Sequence, residues 1–291
     1  MATLRMTFVA LAVVALSAHV SACTSSVSVN IGVSEAAQCA YVFSLDELDD
    51  CTCPSLEEAM RRWLAQRPTP VAQDLVAHYA FEEDLSDSTV NRRNGSADGQ
   101  ITYADGQCGK AAVFNGSSKV EVGAFSNFIW GSQFSVSVWF KRTGSRDTYQ
   151  GIVNTGYHTT GSWEIRMGRE NSGQMIGGGV VTANNAPTWN YAYLTASFGE
   201  WHHAVMTYNG SQLLFYLDNQ LQSGDHDCCH GDIISKNTPL TIGQAGVGMS
   251  HEYFVGLIDE VKIFSKALSA SEVDKMFTDP CFIGDVSPCH N

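Results

Sequence analysis

Residues 134–142, Phe-Ser-Val-Ser-Val-Trp-Phe-Lys-Arg, place Phe134, Val136, Val138 and Phe140 on one side of an extended chain and Ser135, Ser137 and Lys141 on the other. Successive strand side chains point to opposite faces, so this alternation predicts a half-buried β-strand. Runs of this kind recur from Leu75 onward. Residues 111–123 read as two short strands around Asn115-Gly116, and residues 201–220 as two more around Asn209-Gly210, each an Asn-Gly hairpin signal. One helix is expected in this region, over residues 269–277, with Ser269 as its N-cap and Glu272 completing a capping box. The pattern predicts an all-β fold, a two-sheet antiparallel sandwich with a short C-terminal helix.

A chain of 291 residues, 44% hydrophobic, suits one good-sized β domain plus something small. Its formal charge of -13, with no local basic cluster, repels phosphate backbones and sulfated glycans, which argues against nucleic acid or a heparin-like partner. Residues 1–22 carry Arg5, an apolar stretch from Phe8 to Leu16 and small residues thereafter, a secretory signal too short to span a bilayer. Cleavage after Ala22 fits. Val-Ser-Ala-Cys also fits a lipobox, so the protein is expected to be secreted, and membrane-bound only if Cys23 is lipidated.

Beyond Cys23 stand Cys39, Cys51, Cys53, Cys108, Cys228, Cys229, Cys281 and Cys289, an even set that in an exported chain reads as disulfides of open connectivity. The Cys51-x-Cys53 spacing and the His226, Cys228, Cys229, His230 cluster could suggest a metal, but an oxidising compartment favours disulfides at both. Residues 23–73 are expected to form a cysteine-containing segment. Its short helix is capped by Ser55 with Glu58, ends before Pro68, and leads into a linker over residues 67–73. The sandwich is expected over 74–279 and a cysteine-containing tail over 280–291.

Seven runs occur in order across roughly residues 75–275: Leu75–Ala97, Gly109–Gly123, Phe134–Arg142, Gly151–Gly156, Trp201–Gln220, Leu240–Gly243 and Gly256–Val273. In that order they resemble the LamG-like jellyroll domains of the concanavalin A-like lectin/glucanase superfamily. The resemblance implies a two-sheet jellyroll that usually serves as a non-catalytic recognition module and is often steadied by calcium. Matched to the family's first loop and its Ile-Asp-Glu strand, the implied calcium ligands are Glu82, Asp87, Asn94 and Asp259. Val90 and Arg92 stand where the family has glycine, a departure that bears on the loop's tight path.

Asp259 and Glu260 are adjacent, so on a regular strand they face opposite ways and cannot meet across one glycosidic bond, where carboxyls stand about 5 to 9.5 Å apart. Asp259 is expected on a buried face with Leu257, Val261 and Ile263, where it needs a partner: calcium, or loop amides. No Ser-His-Asp set or nucleophile elbow is legible, His202 and His203 read as strand residues, and Gly177–Gly179 lacks the helix and lysine of a phosphate loop. Trp189, Tyr191 and Tyr193 fall at alternate positions and could form an aromatic platform for sugar, or pack in the core. Asn94, Asn115 and Asn209 each open an Asn-Gly-Ser sequon. The sequence therefore points to a secreted, non-catalytic, calcium-stabilised module for carbohydrate or a glycoprotein. The alternatives are an adhesion module for protein surfaces and, less favoured, a polysaccharide hydrolase. Oligomeric state is left open.

Overall fold

The computed structural model describes residues 74–144, 148–156, 159–169, 176–184, 196–222, 229–245 and 252–283, with the backbone of residues 188–192 and of three strands nearer the amino terminus. The chain divides into two compact units, Met1–Thr69 with Asp285–Asn291, and Pro70–Gly284. In the first, β1 (Leu4–Thr7), β2 (Ala15–Ala18) and β3 (Val29–Gly32) form an antiparallel sheet with β2 in the middle. Cys23, Cys39, Cys51, Cys53, the helix expected from Ser55, the linker and Cys289 lie outside the described residues.

The second unit is a sandwich of two antiparallel sheets. One runs in the order β13 (Thr188–Ala192), β12 (Ile176–Val180), β11 (Trp163–Met167), β10 (Gln150–Asn154), β17 (Leu240–Ile242), β8 (Lys119–Val122), β5 (Ser96–Asp98). The other runs β16 (Gln220–Leu221), β15 (Leu213–Leu217), β14 (His202–Tyr208), β9 (Phe134–Arg142), β18 (Val255–Phe264), β7 (Lys110–Asn115), β6 (Thr102–Asp105), and β4 (Leu75–Tyr79) also pairs with β18. Between the sheets lie the alternate residues of each strand: Phe134, Val136, Val138 and Phe140 from β9, Ala204, Met206 and Tyr208 from β14, and Trp163, Ile165 and Met167 from β11. Each large side chain buried there contributes about 1.5–3 kcal/mol, and this term drives the fold.

Two local expectations need correction. β9 is buried on both faces, because α1 (Ala270–Thr278) and its approach cover the outer side of the eight-stranded sheet. There Val273 and Met276 pack with Val205, Tyr216, Phe264 and Leu268, and Phe277 stacks on Trp139 at 5.7 Å. The Asn115-Gly116 turn forms, with Gly116 at φ 87°, but β7 and β8 belong to different sheets, so it is a crossing and not a hairpin. The Asn209-Gly210 turn does join paired strands, Tyr208 opposite Leu213. The helix over 269–277 is as expected: Ser269 accepts from the Glu272 amide, and Glu272 accepts from the Ser269 amide at 2.8 Å.

Candidate functional site

Asp87 is fully buried, and both its oxygens accept hydrogen bonds, from its own loop and from β4. Oδ1 accepts from the amides of His78 (3.0 Å) and Thr89 (2.9 Å), and Oδ2 from the Thr89 hydroxyl (2.9 Å) and the Arg93 amide (2.9 Å). The Asn94 carbonyl in turn accepts from the Asp87 amide at 3.0 Å. These two residues clasp the first loop shut. Arg92 holds φ 50°, so the loop makes a left-handed turn without the family's glycine.

Glu82 and Asp259 meet at a different place, the turn between β6 and β7. Glu82 Oε1 accepts from the Lys110 amide at 3.0 Å, and Asp259 Oδ2 from the amides of Gln107 (2.7 Å) and Cys108 (3.1 Å). Asp259 Oδ1 is buried with no hydrogen-bond partner. Burial pushes this carboxyl up to about 7, against the pull of the two amides. Its face differs from the expected one. A bulge between Asp259 and Lys262, with Glu260 at φ 51°, reverses the alternation, so Ile258, Val261 and Ile263 line the core while Asp259 points outward. Glu260 is held by His78 Nε2 at 2.9 Å and Lys262 Nζ at 2.6 Å. Neither acid is placed to act as half of a glycosidase pair. Among the described residues no group of three or more His, Cys, Asp or Glu could hold a metal by itself.

Cys108 is bonded to Cys281, which ties the β6–β7 turn to the segment after α1, and Cys229 is also disulfide-bonded. Cys228 and Tyr193 lie outside the described residues, and for Trp189 and Tyr191 the backbone alone is described. Trp189 pairs with Gly179 and Tyr191 with Gly177, so these two positions share the outward side of β13 on the seven-stranded sheet.

That outward side holds residues which sequence reasoning missed. On β11, Glu164 and Arg166 alternate with the core residues and are 1% and 4% exposed. The pairing continues across the sheet, Trp189 to Gly179 to Glu164 to Asn154 to Thr241, with Tyr191 to Gly177 to Arg166 in a second row. Arg166 is hydrogen-bonded to Glu252, lies 3.9 Å from Glu164, and has its guanidinium 4.6 Å from the centre of the Tyr149 ring. Arg169 stands over the same ring at 4.9 Å. Burial pushes Glu252 up while Arg166 and Arg169 pull it down. The Asn154 amide donates to the Gln244 carbonyl at 2.5 Å. Gly151 lets this happen: a Cβ there would collide with the backbone of Gln244 and Ala245, which lies directly on β10.

Burying a charged cluster of this kind costs several kcal/mol unless each member is paired, and such clusters concentrate at functional sites. The signal was present in Trp-Glu-Ile-Arg-Met and Ile-Gly-Gly-Gly-Val, where charge and glycine alternate with apolar residues. On the eight-stranded sheet, the outer side around Val205, Tyr216 and Phe264 is covered by α1.

Solved structures share this architecture. Domain 4 of AbnA, an extracellular GH43 arabinanase of Geobacillus stearothermophilus, determined with arabinotriose, matches with TM-score 0.57 and 25% identity over 70% of this chain and 98% of its own. The binding domain of Paraclostridial Mosquitocidal Protein 1 matches with TM-score 0.58 and 20% identity over 71% of this chain and 52% of its own. A structure of botulinum neurotoxin type C, whose cell entry depends on two ganglioside molecules, matches with TM-score 0.55 and 13% identity over 73% and 52%. The latter two likenesses establish the fold alone. No curated protein matches the chain. The Laminin_G_3 family model matches residues 114–274, so the chain belongs to the concanavalin A-like lectin/glucanase superfamily.

Proposed function

We propose that this protein is a secreted recognition module that binds carbohydrate, free or on a glycoprotein, on the outer face of its seven-stranded sheet, without cleaving the glycosidic bond. One observation carries the reading. Gly177 and Gly179 stand between Arg166 and Glu164 on β11 and the aromatic positions Tyr191 and Trp189 on β13. Adjacent strands lie about 4.8 Å apart, so the glycine strand sets these two rows about 10 Å apart, the scale of one sugar ring. Hydrogen-bonding groups flank one side and ring-stacking positions the other, the two contacts that sugars take. The arabinotriose complex of the AbnA domain supports the same ligand class.

Calcium, in this reading, sits at the β6–β7 turn and not in the first loop. Glu82 and Asp259 are the residues that would hold it, since the orphaned Asp259 oxygen is a buried acceptor lacking a donor or cation. The ion would supply that missing positive charge and steady the turn.

The test is a glycan array with the full chain, with and without chelator, followed by calorimetry with arabinotriose. Selective binding that falls at least tenfold in Trp189→Ala supports the site. Silence on every glycan would sink it and move weight to a protein-binding adhesion module. Independently, the melting temperature should drop by several degrees in chelator and recover with calcium; no change would remove the metal from the account.

A further inference from the structure

His202 opens β14, in the eight-stranded sheet, and its ring bridges side chains from two separate loops. Nδ1 stands 2.7 Å from Asp218 Oδ2, and Nε2 3.0 Å from Ser197 Oγ. Asp218 is held from both sides in the β15–β16 turn: its Oδ1 accepts from the His203 amide at 2.9 Å, and its own amide donates to the His203 carbonyl at 2.8 Å. A carboxylate at Nδ1 selects the neutral tautomer that donates there, which leaves the Nε2 lone pair facing the Ser197 hydroxyl. The Ser197 carbonyl lies 3.3 Å from the same Nε2. It is placed to accept a hydrogen bond from the ring once Nε2 has gained a proton. The imidazole is nearly buried while Ser197 faces solvent, so the base is shielded and the hydroxyl is accessible.

Hydroxyl, imidazole and carboxylate in this order and at these separations form the relay that activates a serine nucleophile. We propose that Ser197 is a nucleophile toward short-chain carboxylic esters, with His202 as general base and Asp218 as the residue that orients it. The Ser197 Oγ–acyl carbon bond forms as the hydroxyl proton passes to His202 Nε2. The ester C–O bond then breaks, and the same proton goes to the departing alcohol oxygen. Water, deprotonated by His202, attacks the acyl-serine, releases the carboxylic acid and restores Ser197. Phe198, the next residue in the chain, is 39% exposed and would offer a short acyl chain an apolar surface. This chemistry shares no residue with the saccharide face, so either proposal can fail alone.

The experiment treats the full chain with a fluorophosphonate reagent, maps the modified peptide by mass spectrometry, and follows 4-nitrophenyl acetate hydrolysis. A single adduct at Ser197 is expected. Ser197→Ala, a surface change that leaves the fold intact, should abolish the adduct and lower hydrolysis at least tenfold with the melting temperature unchanged. Asp218→Asn should slow labelling at least tenfold. In His202→Gln the rise of labelling with pH should disappear. No adduct at Ser197, or hydrolysis equal in Ser197→Ala, would overturn the proposal and leave the three residues as a structural tie between loops.

Discussion

Glu260 shows how one residue sets its surroundings. At the bulge it becomes a buried anion bonded by His78 and Lys262, while Lys262 also donates to the Pro280 carbonyl at 2.6 Å. Burial raises its carboxyl, but the bonds from His78 and Lys262 outweigh that and hold it below the ordinary carboxylate range; burial also lowers Lys262. Glu260→Gln should therefore cost about 3–5 kcal/mol in urea unfolding, because it leaves a buried ammonium without its anion, and adding Lys262→Met should recover most of the loss. A single variant within about 1 kcal/mol of the parent would contradict this ledger of charges.

Two other residues set the pH response. Burial, then the charge of Lys262, pushes His203 down to about 3, so the folded state binds fewer protons than the unfolded one below 6.5, and stability falls as pH drops from 6.5 toward 3. Asp259, raised from 3.8 to about 7, has the opposite sign: its contribution is present at low pH and is lost as pH rises toward 7. Between 3.8 and 6.5 the two slopes oppose each other. In chelator, Asp259→Asn should therefore unmask a melting temperature that falls steadily with acid across that window, steeper than in the parent. Parallel curves for both proteins would refute it.

At the scale of the element, α1 decides which face of the sandwich is available. The helix is short, so its capping box and its packing on Phe264 and Tyr216 must hold it together. Ser269→Ala removes the cap of the Glu272 amide and should cost about 1 kcal/mol, seen as a lower denaturation midpoint with an unchanged slope. An unaltered midpoint would mean that packing alone fixes the helix. Helix, capping box and β9 alternation were all legible, because each depends on residues within one turn or one strand of each other. The covering of the outer face of β9 was not legible, since it depends on Phe277 meeting Trp139 from far along the chain.

For the whole molecule, the Cys108–Cys281 bridge spans 173 residues and joins the turn whose amides bond Glu82 and Asp259 to the segment after α1. Closing so long a loop restricts the unfolded chain, so replacing both cysteines by serine should cost about 2–4 kcal/mol and lower the melting temperature under oxidising conditions. An equal melting temperature with and without the bridge would show that Lys262, Pro280 and the helix already fix that segment.

The sequence by itself determined the fold class, the ordered strands, the capped helix and the family, because alternation, Asn-Gly turns and capping boxes act over a few residues. Tertiary structure decided where each strand goes. A bulge moved Asp259 to the other face, the Asn115-Gly116 turn became a crossing between sheets, and Asp87 bonds its loop to β4. Arg166 met Glu252 from 86 residues along the chain, and Ser197, His202 and Asp218 came within hydrogen-bond reach through the pairing of β14 with β15. Local pattern tells a residue which way to point. What stands in front of it is set by register and by the packing of one sheet on another.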